Sequence, residues 1–128
     1  MTALAPAVDE AVAAIRDQYA CHQVHVLPDG SGGATIIVDD ISIGTAYRPQ
    51  ATWLGFHVNA AYPASDVYPH YCGLLERSDG QAHGPGITAT TWQGRPALQL
   101  SRRSNGWNSV LDNAVLKAEK VIRWLKSL

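Results

Sequence analysis

The sequence is poor in cysteine, and it has no segment that resembles a secretion signal. Cys21 and Cys72 are the two cysteines among 128 residues, and a disulfide between them requires a fold that brings them together. The first ten residues, MTALAPAVDE, do not place a basic stretch before an apolar one, so we expect no signal peptide. We therefore expect two free thiols in a cytoplasmic protein.

Charge and long apolar runs are also scarce. Charged residues make up 16% of the chain, the net charge is −1 and the sequence pI is about 6.5. This balance provides no overall attraction to nucleic acid or to an anionic membrane. The longest apolar stretches, such as ATIIV at 34–38, have the length of a strand rather than of a membrane span. We expect neither nucleic acid nor a membrane as a partner.

What the sequence does contain is enough apolar material for one core. Hydrophobic residues make up 46% of the chain, and 128 residues suit one domain and leave little room for a second. The sequence shows neither an internal repeat nor a linker. We expect a single domain over 1–128.

Two segments have helical periodicity. The first apolar stripe is formed by Val8, Val12, Ile15 and Tyr19. It predicts a helix over about 6–20, with Pro6 in its first turn. The second stripe is formed by Leu111, Val115, Ala118, Ile122 and Leu125. It predicts a helix over about 109–126 that begins at Ser109-x-x-Asp112, which resembles a capping box. The basic residues expected mostly away from its buried face are Lys117, Lys120, Arg123 and Lys126.

Between the helices, four segments read as strands. They are His22–Leu27, Ala34–Ile43, Thr52–Asn59 and Tyr71–Glu76. PDGSGG at 28–33 is a turn signal between the first two. Region 81–96 is broken by glycine and proline and predicts a long irregular loop with short strand pieces. The stretch after it starts as a strand, because Leu98 and Leu100 alternate with Gln99. The order predicts an α+β fold in which the helices pack on one face of an antiparallel meander.

Two motifs in this framework resemble the ubiquitin-conjugating (UBC) superfamily. The third strand runs into AAYPASDVYP at 60–69, where a Tyr-Pro pair is followed by another proline. The C-terminal part, ALQLSRRSNGWNSVLDNAVLKAEKVIRWL, is similar to the prokaryotic family E of ubiquitin-conjugating-enzyme-like proteins. The corresponding positions are Ser101, Arg102, Arg103, Trp107 and Asp112, and Arg103 stands where the family has histidine. The resemblance implies a UBC-like fold with an N-terminal helix, a four-stranded antiparallel meander, a long irregular loop and a C-terminal helix.

The resemblance also implies partners. They are a ubiquitin-like protein, an adenylating activating enzyme and a processing peptidase, in a bacterial conjugation system. Conjugating enzymes carry a nucleophilic cysteine about eight residues before that tryptophan, where this chain has Ala97, Leu98 and Gln99. The superfamily's His-Pro-Asn element is also absent, and AHGPGI at 82–87 retains only His83. Thioester chemistry needs a thiolate, so we expect an atypical or non-catalytic member, a pseudoenzyme.

Cys72 and His70 are the candidates for displaced catalytic residues. They are two positions apart, so on a strand their side chains share a face, and His70 could act as a base for the Cys72 thiol. The alternative is that Cys72 is a small buried hydrophobic residue of the fourth strand. Cys21 has no special neighbours beyond His22, and we interpret it as structural.

The candidates for partner binding are His83, Ser101, Arg102, Arg103 and Trp107. Arginine binds carboxylates through two parallel hydrogen bonds, which suits the C-terminal tail of a ubiquitin-like protein. Alternatively, the arginines lie over a tryptophan as a packing contact, and Trp107 anchors the last helix. Ser101 could accept an acyl group only beside a strong base, and none is close in sequence.

Four residues carry side chains that could form a metal site. His70, Cys72, Glu76 and His83 lie within fourteen residues and carry atoms that can bind zinc, but their spacing is looser than that of known zinc motifs. We assign no metal and no cofactor. The function that the sequence predicts is therefore binding of a ubiquitin-like protein or of its activating enzyme. The alternatives are an active carrier that uses Cys72, and a metal-binding or scaffolding module on the same fold.

Overall fold

The computed structural model describes residues 4–101, 106–108 and 112–128. It is an α+β fold with an N-terminal helix, an antiparallel sheet and a C-terminal helix. In chain order the elements are α1 (Pro6–Gln18), β1 (Val24–Pro28), β2 (Ala34–Ser42), β3 (Tyr47–Arg48), β4 (Ala51–Val58), β5 (His70–Cys72), β6 (Glu76–Arg77), β7 (Ile87–Trp92), β8 (Arg95–Leu100) and α2 (Ala114–Lys126).

The main sheet has six strands within the described ranges, in the order β1-β2-β4-β5-β8-β7, and every neighbouring pair is antiparallel. β3 and β6 form a separate two-stranded sheet. Strands β1, β2, β4 and β5 form the four-stranded antiparallel meander that the sequence predicts. The fourth strand, expected over Tyr71–Glu76, spans His70–Cys72. Pairing of Phe56 with His70, and of His70 with Leu100, places β5 in the interior of the sheet.

The long irregular loop with short strand pieces expected over 81–96 is correct for 81–86, but 87–92 and 95–96 belong to two regular strands. β7 and β8 form a hairpin that extends the sheet from four strands to six. Its tip is the two-residue turn Gln93-Gly94, where both residues have positive φ values, 52° and 74°. Two consecutive positive φ values suit the tight turn that matches the twist of a hairpin.

Both helices pack on one face of the sheet. Their buried side chains share a core with those of alternate strand positions, because successive residues of a strand point to opposite faces. Ile15 of α1, Phe56 of β4 and Leu125 of α2 are examples of this shared core. The placement of both helices on one face agrees with the expectation from the sequence.

Helix α2 differs from its prediction in two respects. Its N-cap is Asn113, whose side-chain oxygen accepts a hydrogen bond from the Leu116 N–H at 2.9 Å. Residues 109–111, where the start was expected, lie outside the described residues. Lys117, expected away from the core, is 2% exposed and pairs with Asp66 at 3.0 Å between Nζ and Oδ2. A buried lysine needs such a partner, because burial of an unpaired charge is costly.

Neither helix in the described part of the chain has the length and the apolar surface required to cross a bilayer.

Candidate functional site

The two motifs that carry the resemblance meet in space. The Trp107 indole N–H donates a hydrogen bond of 2.8 Å to the carbonyl of Pro63, across 44 positions of the chain. The Tyr62 hydroxyl oxygen accepts the N–H of Ala114, the first residue of α2, at 3.0 Å. The loop at 60–69, called the Tyr-Pro loop below, is therefore hydrogen-bonded to the N-terminal end of α2. Trp107 packs against the core beside it.

His70 and Cys72 share one face of β5, as their spacing predicts, and that face is the core. Both side chains are 0% exposed. Burial raises the pKa of the Cys72 thiol to about 12, because a thiolate is poorly solvated in the interior. The condition for an active carrier, an accessible Cys72 thiolate, is therefore not met in this structure.

His70 is also poorly placed to act as a base. Burial lowers its pKa to about 3, and the nearby Lys117 ammonium adds to the decrease, while Asp66 opposes it. Neither ring nitrogen has a hydrogen-bond partner among the described residues. The Phe56 ring lies 5.0 Å from the imidazole between ring centroids. In this environment His70 is a neutral core histidine.

His83 lies away from this pair, on the loop after β6. Its Nε2 lies 2.8 Å from the carbonyl of Leu75, which can only accept, so this nitrogen carries the proton. Its ring stacks on Tyr47, with 6.3 Å between centroids. Both contacts fix the side chain, and His83 is half-buried.

Ser101 is half-buried at the end of β8. Its N–H donates to the Gly86 carbonyl at 2.7 Å, and its Oγ accepts from the Gln99 amide nitrogen at 3.2 Å. No histidine or carboxylate among the described residues is hydrogen-bonded to the Ser101 hydroxyl. Arg102 and Arg103 lie outside the described residues.

The four residues considered as zinc ligands do not form one group. His70 and Cys72 point into the core, Glu76 has 82% of its side chain exposed, and His83 binds the Leu75 carbonyl. More broadly, residues 4–101, 106–108 and 112–128 contain no cluster of three or more histidine, cysteine or acidic side chains that could hold a metal ion.

The outer face of the sheet carries an aromatic stack that the sequence does not predict. Trp92 lies between Tyr71 and Trp53, with ring centroids 4.5 Å and 5.8 Å away and planes within 14° of parallel. The Arg95 guanidinium lies 5.0 Å from the Trp53 ring centroid. Alternation places Trp53 and Tyr71 on one face once β4 and β5 are paired, but no local signal brings Trp92 to them.

Gly55 creates the space that the stack occupies. A Cβ at this position would overlap the Trp92 indole and lie 3.1 Å from the Trp53 ring. We expect Gly55→Ala to destabilise the fold by about 2 kcal/mol, because overpacking forces ring or backbone shifts. Urea unfolding measures the change. Gly84→Ala is the matched control, since a Cβ at Gly84 meets no atom within 4 Å. Equal stability of both variants would contradict this packing.

Comparison of the chain with protein-family models, curated proteins and solved structures found no match.

Proposed function

We propose that this chain is a non-catalytic, UBC-like component of a bacterial ubiquitin-like conjugation system, and that it binds the ubiquitin-like protein or its activating enzyme. The observation that carries the proposal is the contact between the Tyr-Pro loop and the segment that leads into α2. Trp107 and Tyr62 belong to the two motifs that resemble the UBC superfamily, and each makes a hydrogen bond that stabilises this contact. The helix–sheet–helix order also supports it.

The non-catalytic part of the proposal follows from the cysteines. Cys72 is buried, and the sequence contains no cysteine after it. Cys21 is exposed but follows α1, far in sequence from the segment that resembles the active-site region. A thioester carrier needs an accessible thiolate at the reacting carbonyl, so binding is the activity that remains for this surface.

The β7–β8 hairpin provides the proposed contact surface within 81–107. Arg95 is exposed at its tip, next to Trp53 and Trp92. Tryptophan, tyrosine and arginine are the residues that most often dominate the energy of protein interfaces. A guanidinium at this position also suits a carboxylate of the partner.

The test mixes the protein with ATP, a bacterial ubiquitin-like protein and the adenylating enzyme that activates it. Intact mass is then measured without reductant, and complex formation by gel filtration. We expect an unchanged mass and a stable complex, which Arg95→Glu weakens at least about tenfold because a central charged contact is reversed. Lys126→Glu, which changes charge at the far end of α2, is the control and should not weaken it.

Three results would contradict the proposal. An added mass that is lost with thiol means that Cys21 or Cys72 is a working carrier. An adduct that resists thiol but yields to hydroxylamine indicates an ester and points to Ser101. The absence of both adduct and complex at micromolar concentrations excludes these partners and leaves a scaffolding role.

A further inference from the structure

A groove of about 530 Å³ lies between α1 and the N-terminal end of α2. The side of α1 that faces it carries Ala7, Glu10, Ala11, Ala14, Asp17 and Gln18. Tyr62 and Pro63 close one part of its wall, and residues 112, 113, 115 and 116 form the α2 side. None of these residues belongs to 81–107. Because the Pro63 carbonyl accepts the Trp107 indole N–H, the groove adjoins the Tyr-Pro junction, but it does not include the β7–β8 hairpin.

The floor of the groove is apolar and shallow. Ala7, Ala11 and Ala14 recur at spacings of four and three, which places three methyl groups in a row along α1. Small side chains allow another backbone to approach closely. On the opposite wall, Leu116 is 45% exposed, although leucine is among the residues most often buried.

The rim of the groove is acidic. Glu10, Asp17 and Asp112 line it, and no lining residue is basic. Asp112 lies 3.4 Å from the exposed Lys120 ammonium, which offsets part of its charge. Hydrogen bonding from the Asn108 N–H lowers the pKa of Asp112, so this carboxylate is ionised at neutral pH. Glu10 and Asp17 are exposed on α1, and the described residues form no ion pair with either.

We propose that this groove docks a basic amphipathic helix of a partner protein. A helix that lays its apolar ridge into a groove between two helices is a common mode of recognition, and it uses residues at spacings of three and four. The alanine row and Leu116 would contact that ridge. Lysine or arginine side chains on its flanks would meet Glu10, Asp17 and Asp112, and this charge complementarity selects the partner.

The combination of surfaces favours a helix over other cationic ligands. A small polyamine would use the three carboxylates but would leave Leu116 and the alanine row uncovered. An acidic or neutral helix would cover the apolar floor but would leave Glu10 and Asp17 without ion-pair partners, and like charges across an interface disfavour binding. A basic amphipathic helix can cover the apolar floor with its apolar face and pair with the acidic rim through its basic side chains.

The test uses two fluorescent helical peptides of fourteen residues, one of leucine and lysine and one of leucine and glutamate in the same pattern. Fluorescence anisotropy measures their binding to the full chain. We expect the lysine peptide to bind at least about tenfold more tightly than the glutamate peptide. The double variant Glu10→Lys/Asp17→Lys should weaken binding of the lysine peptide at least about tenfold. Leu116→Ala should weaken it about fivefold through lost apolar contact.

The matched control is Glu76→Lys/Asp79→Lys, which changes the net charge equally at two exposed residues in and after β6, outside the groove. It should alter affinity less than about threefold, because distant surface charges are screened by salt. Circular dichroism verifies that each variant is folded. Failure of the lysine peptide to bind, equal binding of both peptides, or equal losses in the two double variants would each overturn the proposal.

Discussion

In the native protein at pH 8, an aromatic disulfide reagent should modify Cys21 within minutes. It should modify Cys72 at a rate at least about 1,000-fold lower. Cys21 is exposed, whereas Cys72 is buried in the core. A pKa of about 12 also leaves Cys72 with far less thiolate than an ordinary cysteine at this pH. The release of the coloured thiol, followed over time, should therefore show one fast equivalent.

Two controls separate exposure from unfolding. Cys21→Ser should remove the fast equivalent, and in concentrated denaturant both thiols of the wild type should react at similar rates. Rapid reaction of Cys72 in the folded protein would contradict the buried placement. It would also restore Cys72 as a candidate carrier of an activated ubiquitin-like tail.

His70→Leu should stabilise the protein, and the gain should grow as the pH falls. At pH 7 the variant removes a buried ring without hydrogen-bond partners, for which we expect about 1 kcal/mol. The pKa of His70 is lowered from 6.5 to about 3 in the folded state, so the unfolded chain takes up the proton first as the pH decreases. The wild type therefore loses stability from about pH 6.5 downward. At pH 4, the difference in free energy of unfolding between His70→Leu and the wild type should be about 3 kcal/mol larger than at pH 7.

Urea unfolding of both proteins at pH 7, 5.5 and 4 measures this effect. Only the difference between the curves is interpreted, because other groups titrate in both proteins. His70→Gln keeps a polar side chain that does not titrate, so it should flatten the pH dependence without the gain at pH 7. A gap between the wild type and His70→Leu that stays constant with pH would show that His70 is not held neutral by burial.

The sequence predicted the elements whose apolar pattern is long. Helix α1 was expected over about 6–20 and spans Pro6–Gln18, since its stripe runs for three turns. Strand β2 was expected from Ala34 to Ile43 and spans Ala34–Ser42, with five consecutive buried residues at its start. A long apolar pattern fits the core in only one secondary structure and one orientation. The element predicted from the pattern is therefore the element observed.

The β7–β8 hairpin was missed although its sequence carries a signal. ITATTW is rich in β-branched residues, and Gln93-Gly94 separates it from the next strand by two residues. The sequence predicts only short strand pieces here, because the HGPG and QGRP segments contain the glycine and proline that usually interrupt regular structure. A two-residue turn between two strand-forming segments predicts a hairpin even when glycine and proline lie nearby.

The candidate site could be predicted only in part. The spacing of His70 and Cys72 fixed that they share a face, but a strand of three residues gives no pattern that shows which face is buried. Lys117 was placed on the wrong side because a charged residue on an apolar stripe is normally excluded from it. Its partner Asp66 lies 51 positions away, and no local rule connects the two.

The position of α2 at the end of the described elements has a consequence for biosynthesis. The Tyr47 hydroxyl donates to the Leu125 carbonyl at 2.8 Å across 78 positions, and the Tyr19 hydroxyl donates to Glu119 at 2.8 Å across 100 positions. The ribosome synthesises α1 and all strands of the sheet before it synthesises α2, which packs on them. During that interval the core face of the sheet is exposed to water and to other nascent chains. Until α2 emerges, the nascent chain therefore exposes apolar surface of the kind that chaperones bind.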